Sequence, residues 1–153
     1  MNVDLLKNVY LFHDLSMAEL VEVLKICRQE DFPESHVLFL EGEAGDKSYV
    51  IEDGEVRISK YIPNVGEEAL AVLKSGSYFG EMALIDGSPR SATAITNRKT
   101  SCLVIAKSDL DRLLASDKEL GNKLLTVFCK TLSRRLRETN EKISQFITLT
   151  AGY

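Results

Sequence analysis

The chain has no tryptophan, and only three prolines and nine glycines among 153 residues. Collagen-like and low-complexity classes need far more of both, so neither applies. Histidine is scarce as well. His13 and His36 stand far apart, too few to build a zinc or iron site on histidine. The three cysteines, Cys27, Cys102 and Cys129, are odd in number and lack short metal-type spacing. Each sits among apolar neighbours, which predicts reduced, buried thiols in a reducing compartment. A basic excess is also missing: 19 Lys and Arg against 23 Asp and Glu leave a formal charge of −4. Readers of DNA or RNA usually present a net basic domain, so no nucleic-acid contact is expected. The longest stretch without a charged residue, the eleven from Ile143, falls well short of the roughly 20 that span a bilayer. Asp4 comes early and no basic segment precedes an apolar one, which argues against a secretory signal. These absences together predict a cytoplasmic protein without membrane contact.

What is present is ordinary globular material, 44% hydrophobic and 27% charged, at the usual length of one domain. Three rhythms divide it. Residues 1–27 read as a helical prologue, with Leu20, Val21, Leu24 and Cys27 at helical spacing and a capping box at Ser16 and Glu19. Residues 28–106 read as short apolar strands between turn residues, among them 37–40, 48–51, 56–59, 69–73, 91–96 and 101–106. Asp53-Gly54 between two of these suits the positive φ angles of a tight hairpin. The predicted fold is mainly β with flanking helices: an antiparallel jelly roll, or double-stranded β-helix. Residues 108–147 return to helical spacing, with Ser108 capping a first helix and a second running from near Asp117 to about Phe146. Gly121, near the start of the second, is mildly unfavourable there.

In that second helix Leu125, Cys129, Leu132, Leu136, Thr139, Ile143 and Phe146 alternate by four and three. The spacing suits a coiled-coil seam joining two copies. It equally suits one amphipathic helix lying on its own domain. Thr139 is polar in an otherwise apolar seam, as expected where a residue fixes register or meets a ligand. Arg134, Arg135 and Arg137 read as a solvated basic face paired with Glu138 and Glu141.

The stretch 79–94 carries the chemistry. Gly76 and Gly80 bracket Tyr78-Phe79, after which Glu81 to Leu84 suits one helical turn whose first amides lack intrahelical acceptors and face an anion. Arg90, after the rigid Pro89, offers a planar fork for phosphate oxygens. Glu81 is acceptor-only when ionised, so it accepts a hydrogen bond from a sugar hydroxyl or pairs with Arg90 when no ligand is bound. The residues alone leave two readings open: an anion-plus-hydroxyl pocket, or a surface turn with a Glu–Arg ion pair.

Phe79-Gly80-Glu81-Met82-Ala83-Leu84 followed by Pro89-Arg90-Ser91-Ala92-Thr93 resembles the phosphate-binding cassette of cyclic-nucleotide-binding domains. That family includes bacterial catabolite activators, regulatory subunits of cAMP-dependent protein kinase and cyclic-nucleotide-gated channels. Gly42-Glu43 and Asp53-Gly54-Glu55-Val56 resemble its early hairpin signatures, and 134–143 resembles the central helix of the activators. The resemblance implies roles. Glu81 accepts the ribose 2′-hydroxyl and Arg90 neutralises the cyclic phosphate. Ala83 and Ser91, with Ala92 beside them, bind phosphate oxygens, and Gly80 and Met82 line the pocket. Thr139 and Asn140 meet the adenine edge from the two subunits of a homodimer, Asn140 standing where a hydroxyl residue is expected. Ile58 and Leu70 pack on the base or sugar. The implied function is a non-catalytic sensor for cAMP or, since Ser91 also carries a hydroxyl, cGMP. No cofactor and no metal are implied. Residues 1–153 are expected to form one domain without a DNA-reading module, either a stand-alone sensor or a piece of a longer transcription regulator. Two other classes are weighed: a cupin-like metal enzyme, which the histidine count disfavours, and a dimerisation module that has lost its ligand, which intact Glu81 and Arg90 disfavour.

Overall fold

The structure is a computed structural model, and it describes residues 3–151. The prologue breaks into α1 (Val3–Asn8), a 3₁₀ turn (Tyr10–Phe12) and α2 (Met17–Lys25). The capping box forms as expected, with Ser16 Oγ accepting from the Glu19 amide and Glu19 from the Ser16 amide. Cys27 does not end the prologue but begins β1 (Cys27–Phe32).

Seven more strands follow: β2 (Val37–Phe39), β3 (Lys47–Asp53), β4 (Glu55–Ile62), β5 (Gly66–Lys74), β6 (Tyr78–Phe79), β7 (Thr93–Thr96) and β8 (Thr100–Ala106). They form two antiparallel four-stranded sheets, ordered β1-β8-β3-β6 and β2-β7-β4-β5. Asp53-Gly54 does not close a hairpin. β3 and β4 lie in different sheets, and this turn carries the chain across. Gly54, at φ +121°, is required there, since a Cβ would lie 2.4 Å from Thr100 Oγ1. The hairpin of this region is β4–β5, pairing from Glu55 with Lys74 to Ile62 with Gly66 across one register shift between Ile58 and Ser59.

The two inner strands of the first sheet, β3 and β8, are buried on both faces, which is why they alternate poorly in sequence, while the edge strand β1 is largely exposed. Along β8, Cys102 and Val104 face the second sheet with Tyr49, Ile51 and Phe79, while Leu103 and Ile105 face the helices with Val50 and Tyr78. The helices covering that outer face are the prologue, α4 (Lys107–Ser116) and α5 (Lys118–Thr150). Ser108 is not the cap of α4. The helix begins one residue earlier, after an extended Ala106 with no side-chain cap. Asp117 does cap α5, accepting from the Leu120 amide at 3.0 Å. Gly121 has a packing reason, because a Cβ there would sit 3.1 Å from the Leu114 carbonyl.

With 33 residues, α5 extends about 50 Å and past the predicted end. Leu120, Leu124, Val127 and Phe128 hold it to the core. The predicted seam lies on another face, where Leu125, Leu136, Ile143 and Phe146 are exposed. Cys129, on that face, is exposed too, so the expectation of three buried thiols holds only for Cys27 and Cys102. Burial pushes those two thiols up to about 12. No helix among the described residues is long and apolar enough to cross a membrane.

Candidate functional site

A cavity of about 350 Å³ opens between the second sheet, the 79–92 segment and α5, within the size range of small-molecule sites. Its floor is apolar: Phe39, Ile58, Ala71, Leu73 and Phe79. Gly80, Glu81, Met82 and Ala83 line one wall, Arg90, Ser91 and Ala92 another, and Arg135, Glu138, Thr139 and Lys142 the side formed by α5. The short helix α3 (Met82–Asp86) begins one residue later than expected, with Glu81 as its N-cap residue. Its first amide with an acceptor in the turn belongs to Leu84, bonded to Glu81 O at 3.0 Å.

Arg90 is only 5% exposed. Its position is fixed by main-chain bonds to the 42–43 turn, Arg90 N to Glu43 O and Gly42 N to Arg90 O, each 2.8 Å. The guanidinium donates to Gly80 O and to Lys47 O, both at 2.7 Å, and lies 4.0 Å from the Phe39 ring centroid. Nε is buried and has no partner. Burial holds its pKa below the usual arginine value, opposed by Tyr49 and by the carboxylates of Asp46, Glu43 and Glu81. A desolvated cation bound only to neutral carbonyls is a site for an anion. Gly80 and Gly45 make room for it. A Cβ on Gly80, which has φ +79°, would lie 3.0 Å from Arg90 Nη1, and one on Gly45 would lie 2.9 Å from Arg90 Nε.

Glu81 is 2% exposed and does not pair with Arg90. Its partner is Arg135 of α5, which also donates to Tyr78 O at 3.0 Å. Arg135 is therefore no part of a solvated face. Its neighbour Arg134 stays outside, 3.8 Å from Glu138 and stacked on the Tyr10 ring at 4.5 Å.

Among the expected site residues, the cavity brings together Gly80, Glu81, Met82, Ala83, Arg90, Ser91, Ala92, Thr139 and Ile58. Leu70 is not among them. Leu70 falls at a register shift between Ile58 and Ser59 and is half exposed, while Ala71, paired with Ile58, and Leu73, paired with Val56, line the cavity. Asn140 does not line this cavity either, because the next helical position is rotated by about 100° from Thr139. Sequence reasoning missed Arg135, Lys142 and Gly45. The repeat Arg135, Glu138, Thr139, Lys142 marks one helix face and was the available signal for the first two; nothing in the sequence distinguishes Gly45 from a turn glycine. Among the described residues no group of three or more His, Cys, Asp or Glu could hold a metal ion.

The sequence profile of the cyclic nucleotide-binding domain matches residues 29–117. The CRP-like cAMP-activated global transcriptional regulator of Mycobacterium tuberculosis is 30% identical over 144 residues, covering 94% of this chain and 62% of that protein. A cyclic nucleotide-gated potassium channel of Mesorhizobium japonicum is 35% identical over 134 residues, 88% of this chain and 35% of the channel. Among solved structures, a cyclic nucleotide-binding domain from Methylobacillus flagellatus superimposes with a TM-score of 0.82 at 34% identity, covering 92% of this chain and 79% of that one. The chain thus spans about six-tenths or less of the length of these two full-length relatives.

Proposed function

The chain belongs to the cyclic nucleotide-binding domain family, and from that premise we propose that it is a non-catalytic cAMP sensor acting through α5. The observation that carries the reading is Arg90, a buried guanidinium bound only to neutral carbonyls, in the wall of a cavity that is also lined by the buried carboxylate of Glu81. A cyclic phosphodiester supplies one negative charge and several acceptor oxygens to that guanidinium. The amides of Ala83 and Ser91 are the further donors we assign to it, with Ala92 and Met82 lining the phosphate end. Glu81 is the acceptor for the ribose 2′-hydroxyl, and Thr139 and Ile58 meet the base.

The relay follows from Arg135. It donates to the same carboxylate that the ribose needs, so a bound ribose changes what holds α5 against β6. A ligand shifts the helix only as far as its affinities for the two helix positions differ. Asn140 reaches toward the second site of a homodimer in this reading. The two-copy arrangement is supported by the apolar seam left exposed on α5. We assign the whole chain to one domain working in the cytoplasm, as a sensor or as the sensing part of a longer transcription regulator. cGMP is the competing ligand.

Calorimetric titration tests the reading. The protein should bind cAMP more tightly than cGMP, and Arg90→Leu should lose on the order of 2–5 kcal/mol of that affinity, since the phosphate loses its buried charge partner. Near-unchanged affinity in the variant would contradict the assignment, and tighter cGMP binding would reverse the choice of base.

A further inference from the structure

Four side chains of α5 line the cavity at spacings of three and four, so one helix face forms that wall. Three of them are already engaged. Arg135 is held by Glu81 and Tyr78 O. Glu138 faces Arg134 Nε at 3.8 Å. Thr139 spends its hydroxyl proton on Arg135 O at 2.8 Å, so toward the cavity its oxygen is an acceptor. Lys142, among the described residues, has no hydrogen bond or ion pair for its ammonium.

The wall also has a direction. Arg135 marks the end at Glu81. At 1.5 Å per residue Thr139 lies about 6 Å, and Lys142 about 10 Å, further along the axis. On the cyclic-nucleotide reading, on which this inference rests, Glu81 takes the ribose, so the next two positions face what the ribose carries. They present an acceptor and then a donor. Adenine carries the complement on either edge: a 6-amino donor beside a ring-nitrogen acceptor, N7 on one side and N1 on the other. Guanine on its N7 edge offers two acceptors, so O6 would meet the Thr139 oxygen without a proton between them; only its N1–H edge, with N1–H at Thr139 and O6 at Lys142, matches the pair.

We propose that Lys142 is a specificity-determining residue of this site, its ammonium donating to a ring nitrogen flanking the 6-amino group, N7 or N1, of an adenine whose amino group donates to Thr139. A methionine at this position keeps the straight aliphatic stem and removes the donor, and the residue is exposed on the helix, so the fold does not depend on it.

The experiment is calorimetric titration of the wild-type chain and Lys142→Met with cAMP, 7-deaza-cAMP and 1-deaza-cAMP. The wild type should bind one of the two deaza analogues about tenfold more weakly than cAMP, the scale of one charge-assisted hydrogen bond. Lys142→Met should bind cAMP more weakly by a similar factor and no longer distinguish that analogue from it. The proposal is overturned if the wild type binds both analogues as tightly as cAMP, or if the variant keeps the discrimination. A wild type that binds no cyclic nucleotide overturns the functional reading, and this proposal with it; intact cAMP binding with no deaza effect overturns this proposal alone.

Discussion

Arg90 and Glu81 each sit almost wholly out of water, and each has a different debt to the ligand. Arg90 holds two carbonyls and lacks a charge partner, so an arriving phosphate adds an interaction without breaking one. Glu81 already has Arg135, so an arriving hydroxyl must share or displace it. Glu81→Gln should therefore weaken cAMP binding by about 1–3 kcal/mol while Arg135 is freed. The check is a cycle against 2′-deoxy-cAMP: the two losses should fail to add, because they report one contact. Full additivity would place the 2′-hydroxyl elsewhere. Both residues were legible in sequence because glycine, carboxylate, proline and arginine stand at fixed spacing around one turn. Their pairing was not, since Arg135 is 54 positions from Glu81 and only the docking of α5 brings them together. Leu70 was implied by the resemblance alone, and it lies outside the cavity, half exposed at a strand irregularity that nothing in the sequence marks.

At the scale of elements, α5 has two faces with different requirements. Leu120, Leu124, Val127 and Phe128 are satisfied by the chain itself. Leu125, Leu136, Ile143 and Phe146 are not, with Phe146 65% exposed. The four–three spacing was read correctly as a stripe, yet spacing could not say whether the stripe packs inward or outward, and that distinction separates a domain helix from a seam. Sedimentation equilibrium should find the wild type dimeric at micromolar concentration and Leu136→Asp/Ile143→Asp monomeric, with unchanged helical circular dichroism. A monomeric wild type would remove the seam from the account. Strands were harder to read than helices here. β1, an edge strand of mostly exposed polar residues, and β6, only two residues long, offer no apolar run or alternation to read. Asp53-Gly54 was read as a hairpin although it bridges two sheets, because its dipeptide chemistry is the same in either turn.

For the whole molecule, two cores share one sheet, and that shared sheet buries groups that resist ionisation. The thiols of Cys27 and Cys102 are pushed up from 9.0 to about 12, chiefly by burial, and the Tyr49 phenol from 10.0 to about 12 by burial against the opposing pull of Arg90. Unfolding returns them to ordinary values, so between about pH 9 and 12 the unfolded chain binds fewer protons than the folded one. Stability must then fall as pH rises, by up to about 1.4 kcal/mol per pH unit for each group. Urea midpoints should drop clearly from pH 8 to pH 10.5; an unchanged midpoint would mean these groups are not protected.

On this reading a cyclic nucleotide bound through Arg90 stabilises the folded chain, and ligand-dependent melting tests that most directly. At a cAMP concentration about a hundredfold above Kd, binding to the native state adds about 2.7 kcal/mol, which raises Tm by about 5–10 °C for a chain of this size. Wild-type protein should show that rise and Arg90→Leu at most about a third of it. No rise in the wild type, or the same rise in both, would contradict it.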